Sequence, residues 1–261
     1  MWRRRHEIKV AMVFAISCSS RLFSGTAGNR PRPTHFVALR LPDEHLWQQV
    51  QRLQQEIWPR AARICAEQGD QSISLEDWDL AFQMALYPAS RFHFSLFVID
   101  LKKEEQLQLA KECLSRWFGE DVPQTLQGRN QLEIELAELA CFDKKEDVLF
   151  LQPDDQSATE MSDLNRTLQA RLSTCMLAEK QRPTLQPHAT IMKKSQVGRK
   201  LGQKLDANRV KSIMKTLRFP REAWSEYNKS LGKYAAREVQ LLDMRKPKDG
   251  YFEVEWEGSF R

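Results

Sequence analysis

The stretch "RFHFSLFVID", residues 91–100, sets a titratable ring inside an otherwise apolar run, and "PHATIMKK", residues 187–194, repeats the arrangement. In both, a histidine is followed two positions later by a hydroxyl: His93 by Ser95, His188 by Thr190. Residues two apart on a strand point to the same side. Each stretch therefore presents an imidazole and a hydroxyl together, while Phe94, Leu96 and Val98 are expected to face the other way, into a core. A strand held by its own core is a good mount for groups that must be placed accurately.

Working outward, the same order of elements surrounds each motif. "THFVALRLP" reads as a strand and "DEHLWQQVQRLQQEIWPRA" as a helix, capped by Asp43, with Leu46, Val50, Leu53 and Ile57 at helical spacing. A polar, acidic connection containing "EQGDQSISLEDWD" leads to the first histidine strand, a helix over 103–118 and a strand in which Leu132, Ile134 and Leu136 alternate with Glu133 and Glu135. The second half runs strand ("DVLFLQP"), helix (157–177), histidine strand, helices near 207–216 and 220–230, and strands ("REVQLLDMR", "YFEVEWEGSF"). In the last of these, Phe252, Val254 and Trp256 alternate with Glu253, Glu255 and Glu257. The repeat is one of architecture rather than of residues. It implies an α+β domain over 34–261 built as two similar lobes, about 34–142 and 143–261. These would be antiparallel sheets flanked by helices, with His93 opposite His188 across a central cleft.

Two imidazoles facing one another suit acid–base chemistry at a phosphodiester. One, neutral, accepts a proton from the attacking hydroxyl or water, and the other, protonated, donates to the departing oxygen. The ordinary histidine pKa, about 6.5, suits both roles. Ser95 and Thr190 can donate hydrogen bonds to non-bridging phosphate oxygens, where charge must be stabilised. The scheme requires no metal or cofactor, and no convincing metal-ligand cluster stands out. His35 opens the first strand with no hydroxyl two positions on and reads as a strand-edge residue. His6 and His45 receive no role.

The charge is uneven. Residues 1–33 carry seven Lys/Arg against one acid and residues 193–248 carry sixteen against five, so the rest of a chain of net charge +5 stands at −12. Lys193 and Lys194 leave the second histidine strand directly, followed by Arg199, Lys200, Lys204, Arg209, Lys211 and Lys215. This segment is either a solvated helix face or a border of the cleft that draws in phosphates, with Lys193 the candidate substrate contact. Phe92, Trp224 and Tyr227 could stack on a base or simply pack. Five scattered cysteines without CxxC spacing argue against a zinc knuckle or a secreted disulfide framework, and favour a reducing compartment.

The paired His93-Phe94-Ser95 and His188-Ala189-Thr190 resemble the two H-x-[S/T] signatures of the 2H phosphoesterase superfamily. Within it the chain looks most similar to the A-kinase anchor protein phosphoesterase domain and the related domain of leukocyte receptor cluster proteins. The resemblance also runs through "RPTHFVALRL", "LAELACFDKKEDVLFLQP", "PHATIMKKS" and "GYFEVEWEGSF". It implies a bilobal fold with His93 and His188 as the acid–base pair and Ser95 and Thr190 as phosphate holders. The substrate class implied is RNA or oligonucleotide linkages, 2',5'-linked or ending in a 2',3'-cyclic phosphate. The alternative is a module that binds AMP-like nucleotides with little or no catalysis. Binding of a kinase regulatory subunit is not implied, and a monomer is expected.

Residues 1–33 begin with Arg3, Arg4 and Arg5 and hold an apolar run, 10–18, too short to span a bilayer as a helix. The segment reads as a mitochondrial presequence or as an untargeted tail, which leaves the expected location mitochondrial, cytoplasmic or nuclear.

Overall fold

The computed structural model describes residues 33–120, 128–142, 146–174, 186–248 and 251–260, so the expected tail over 1–33 lies, Pro33 apart, outside the described residues. The described strands are β1 (His35–Arg40), β2 (His93–Ile99), β3 (Leu132–Cys141), β4 (Val148–Pro153), β5 (Ala189–Lys193), β6 (Gly232–Ala236), β7 (Glu238–Lys248) and β8 (Tyr251–Ser259). The helices are α1 (Glu44–Gln68), α2 (Leu75–Ala85), α3 (Glu104–Glu120), α4 (Asp155–Thr174), α5 (Val197–Leu201), α6 (Ala207–Thr216) and α7 (Arg221–Trp224). None of the described helices is long and apolar enough to cross a membrane.

The strands form two antiparallel sheets, ordered β2-β1-β7-β8 and β5-β4-β3-β6. The α+β, two-sheet architecture expected from the repeat is the one observed. Sheet membership crosses the midpoint of the chain, however: β3 joins β4 and β5, while β7 and β8 return to β1. A hairpin between β3 and β4 closes over a short connection, which makes that pairing cheap in chain entropy. Each histidine strand is the end strand of its sheet, and β2 packs against β5. The helices pack crosswise, α1 touching β5 and α4 touching β2.

One continuous apolar core joins both sheets to the helices. It takes Val37 and Leu39 from β1, Phe94, Leu96 and Phe97 from β2, Leu149 and Leu151 from β4, and Ala189 and Ile191 from β5. Facing them are Leu46, Val50, Leu53 and Ile57 of α1, Leu114 and Trp117 of α3, and Leu164 and Leu168 of α4. Full burial of such a side chain contributes about 1.5–3 kcal/mol. Asp43 caps α1 as expected, its Oδ1 accepting from the Leu46 amide at 2.8 Å. The helix runs through Pro59, as the expected stretch does, and continues past Ala61 to Gln68, because Ala62 and Cys65 extend the buried stripe. The stretch read as a polar connection contains α2. Ser74 caps it by accepting from the Asp77 amide, and Trp78, Ala81, Phe82 and Ala85 bury one face.

Two alternations break at bulges. In β2, Ala38 pairs with Ser95 and Val37 with Phe97, so Leu96 is the extra residue. Val98 consequently turns to the opposite face, against the small cluster of Phe36, Ala38, Leu242 and Tyr251, rather than following Phe94 and Leu96. In β8, Leu241 pairs with Trp256 and Leu242 with Val254, leaving Glu255 unpaired. Val254 is exposed as a result, and Glu255 reaches Lys111 of α3 at 2.9 Å.

His35 is buried inside β1, not at a strand edge, because β2 and β7 flank it on both sides. Its Nε2 lies 3.8 Å from Asp243, and His35, Asp243 and Glu255 are close enough together to converge on one cation. That place is already taken by the protein's own cations. Arg245 donates from Nε and Nη2 to both Asp243 oxygens at 3.0 and 2.8 Å, and Lys246 lies 3.8 Å from Asp243 and 3.6 Å from Glu255. Hydrogen bonds from the Arg245 side chain hold the Asp243 carboxyl down to about 2. Burial holds the His35 pKa below 6.5. The unfolded chain therefore takes up a proton near pH 6.5 that the folded chain resists, so stability is complete above that value and falls as pH drops below it. Asp243→Asn should lower stability by about 1–3 kcal/mol, the loss expected of hydrogen bonds to a charge. In urea denaturation the wild type should be weaker at pH 5 than at pH 7, and His35→Gln should shrink that difference.

Candidate active site

The two histidine strands are built alike down to their irregularities. Thr190 pairs with Phe150 and Met192 with Leu149, so the extra residue of β5 is Ile191, directly after the hydroxyl. Leu96 holds the same place after Ser95 in β2. The imidazoles are held alike as well. Nδ1 of His93 lies 2.6 Å from the carbonyl of Arg91, and Nδ1 of His188 lies 2.9 Å from that of Gln186, two residues upstream in both cases. A carbonyl oxygen only accepts, so Nδ1 carries the proton and the lone pair of each neutral ring sits at Nε2. Among the described residues nothing hydrogen-bonds to either Nε2, nor to the half-buried hydroxyls of Ser95 and Thr190.

Aromatic rings fix the orientation further. His93 lies among Phe36, Tyr87, Tyr251 and Phe252, with ring centroids 5.0, 6.4, 6.3 and 5.9 Å away. His188 meets Phe142 at 4.6 Å and Phe150 at 5.4 Å, both edge-on. Burial pushes the His93 pKa down to about 4, the Arg91 carbonyl opposes that, and the positive charges of His188 and Lys193 add to it. Burial also lowers His188, with Lys193 acting in the same direction. The His93 ring thus senses the charge of His188, and exposed Lys193 acts on both rings.

All five residues singled out in the sequence therefore gather at the junction of β2 and β5. The rest of the basic run divides. Lys200 donates to the Met84 carbonyl at 3.0 Å, and Arg209 turns to Asp77 and Asp206 at 3.6 and 3.5 Å. The candidate stacking residues are otherwise engaged: Phe92 is buried, Trp224 donates to the Phe219 carbonyl, and Tyr227 packs on the core. The partly exposed rings beside the histidines are Tyr87, Phe142 and Phe252. Arg40 pairs directly with His93 across β1 and β2 and stacks its guanidinium 4.7 Å from the Tyr251 ring, while the Arg91 guanidinium stacks 5.5 Å from Phe252. Arg40 and Phe252 carry no local sequence signal, because they come to the site on other strands, whereas Tyr87 and Arg91 lie on the segment that leads into β2. Cys65 and Cys141 are free thiols whereas Cys113 is disulfide-bonded, a bridge that the scattered spacing did not announce.

The two H-x-[S/T] strands thus stand at equivalent places, one at the end of each antiparallel sheet, with a bulge directly after each hydroxyl. The chain belongs to the AKAP7 2'5' RNA ligase-like domain family, whose model matches residues 33–260. TT0787 of Thermus thermophilus shares the fold at a TM-score of 0.50 and 15% identity, over 87% of this chain and 98% of that one. Escherichia coli LigT complexed with 3'-AMP aligns at a TM-score of 0.43 and 13% identity, over 81% and 87%. Kluyveromyces marxianus Usb1 aligns at 0.41 and 10%, over 80% and 93%. No curated protein sequence matches the chain.

In the ligand-free protein, imidazole proton NMR should show His93 titrating near pH 4 and His188 below 6.5. Titration of both rings at or above 6.5 would mean that neither is buried as described.

Proposed function

We propose that the chain is a metal-independent phosphodiesterase acting on RNA or oligonucleotide linkages, either 2',5' bonds or 2',3'-cyclic phosphate ends. The observation that carries this reading is the pair of matched imidazoles, each pinned at Nδ1 by a carbonyl two residues upstream with Nε2 left free. A ring held in that tautomer can accept a proton at one defined nitrogen, and once protonated there can return it.

His93 and His188 form the acid–base pair. One Nε2 takes the proton of the attacking water or hydroxyl as its oxygen bonds to phosphorus. The other, protonated, donates to the oxygen that leaves with the departing nucleoside. Ser95 and Thr190, one on each side, donate to the non-bridging oxygens, and Lys193 offsets their charge. Both rings are neutral at pH 7 in the empty site, since burial and neighbouring cations lower their pKa values. An arriving phosphate reverses the second influence, because a nearby anion favours the imidazolium. Substrate thus helps to charge the acid that attacks it.

The pH profiles should separate accordingly. kcat/KM reports the free enzyme, so it should fall as pH rises above an acid group titrating below 6.5, and the kcat profile should lie at higher pH. His93→Ala or His188→Ala should each lower turnover about 10²–10⁴-fold. Wild-type activity should persist in a chelator. Cleavage of 2',5'- and 3',5'-linked oligomers and cyclic ends, assayed beside calorimetry with AMP, decides the reading. Tight AMP binding with no cleavage would make the groove a nucleotide-binding module instead.

A further inference from the structure

Gln54 lies on α1, only 5% exposed, among the apolar residues of the core. Its Nε2 donates to two backbone carbonyls, Tyr87 and Ile191, each at 2.7 Å. The Tyr87 amide donates to that same Ile191 carbonyl at 2.9 Å. Ile191 is the bulge residue of β5, immediately after Thr190. Tyr87 precedes the turn Ala89–Arg91, whose last carbonyl holds the His93 ring. One buried amide therefore ties the segment leading to His93 to the residue that follows the His188 motif.

The same segment is held from the β5 side as well. Gln196 donates to the Ala85 and Leu86 carbonyls at 2.9 and 3.0 Å, and Lys200 to Met84 at 3.0 Å. Four consecutive carbonyls, Met84 to Tyr87, are thus bound by side chains. They include the last carbonyls of α2, which have no partner within their own helix. A purely cohesive contact between the two sheets would need only apolar packing. Burying a glutamine here is costly unless both its N–H groups are used, and they are used on the two elements whose spacing matters.

We propose that Gln54 is a positioning residue that sets the separation and mutual orientation of the His93 and His188 imidazoles. The role rests on the phosphodiesterase reading above and names a residue that acts through the site without touching substrate. Leucine has a similar volume but no donor. Glutamate has the same shape, but when ionised it only accepts and would face two carbonyl oxygens.

The test compares Gln54→Leu, Gln54→Glu and Gln196→Ala with wild type by steady-state kinetics and by NMR titration of the imidazoles. In Gln54→Leu, kcat should fall about 10–100-fold, the scale of an ångström-sized misplacement, with KM changed less than about threefold. The His93 titration should move up from about 4 as the influence of His188 weakens. Gln54→Glu should do the same, and Gln196→Ala should do so less strongly while keeping the buried amide. A role confined to stability would lower Tm but leave kcat and the His93 titration where they were, and that result overturns the proposal. If Gln54→Leu does not fold, Gln54→Glu with kcat and the His93 titration unchanged overturns it equally. Absence of turnover in wild type would end the phosphodiesterase reading alone, since the NMR titration still decides whether Gln54 governs the ring pair.

Discussion

The site depends on where two protons sit. A histidine ring free to flip or to change tautomer presents either nitrogen, and catalysis by a pair of such rings would require two chance orientations at once. Here Nδ1 of each ring is committed to a backbone carbonyl two residues upstream, at 2.6 and 2.9 Å. The carbonyls belong to the segments that lead into β2 and β5, so each ring is oriented by a contact to its own backbone. Aromatic neighbours close the remaining freedom: four rings around His93 and two around His188.

That arrangement needs a frame that treats the two strands alike, and the sheet orders supply it. β2-β1-β7-β8 and β5-β4-β3-β6 correspond strand for strand, with the histidine strand at one end of each. The correspondence reaches the bulges at Leu96 and Ile191, each one residue past the hydroxyl. A bulge re-aims the residues around it, and such irregularities gather at active sites. The sheets trade strands across the midpoint of the chain, β7 and β8 going back to β1, so neither half completes its sheet alone. Crosswise packing of α1 on β5 and α4 on β2 binds the halves again. Tilting one imidazole independently of the other would disturb a core common to both.

The motifs and the element order carried much of this in the sequence. H-x-[S/T] on an apolar strand implies two groups on one face whatever the partner strand does, and that geometry holds for both motifs. What stayed hidden depends on pairing. Val98 and Val254 break their alternation because bulges insert one residue, and a bulge is a property of two strands in register. The helix α2 did have a local signal in the Ser74 cap and the spacing of Trp78, Ala81, Phe82 and Ala85, but the acidic residues around it disguised that apolar face. Gln54 looked like one more polar residue on an amphipathic helix. Its hydrogen-bond partners lie 33 and 137 residues away, a relation no local window contains. Phe252 and Arg40 were missed for the same reason.

If the pair works as proposed, both imidazoles address one phosphate. A crystal structure of the protein with bound AMP tests it most directly. Phosphate oxygens should lie within about 3 Å of Nε2 on both His93 and His188, with the Ser95 and Thr190 hydroxyls on the remaining oxygens. A phosphate that meets only one ring, or that binds away from the junction of β2 and β5, would contradict it.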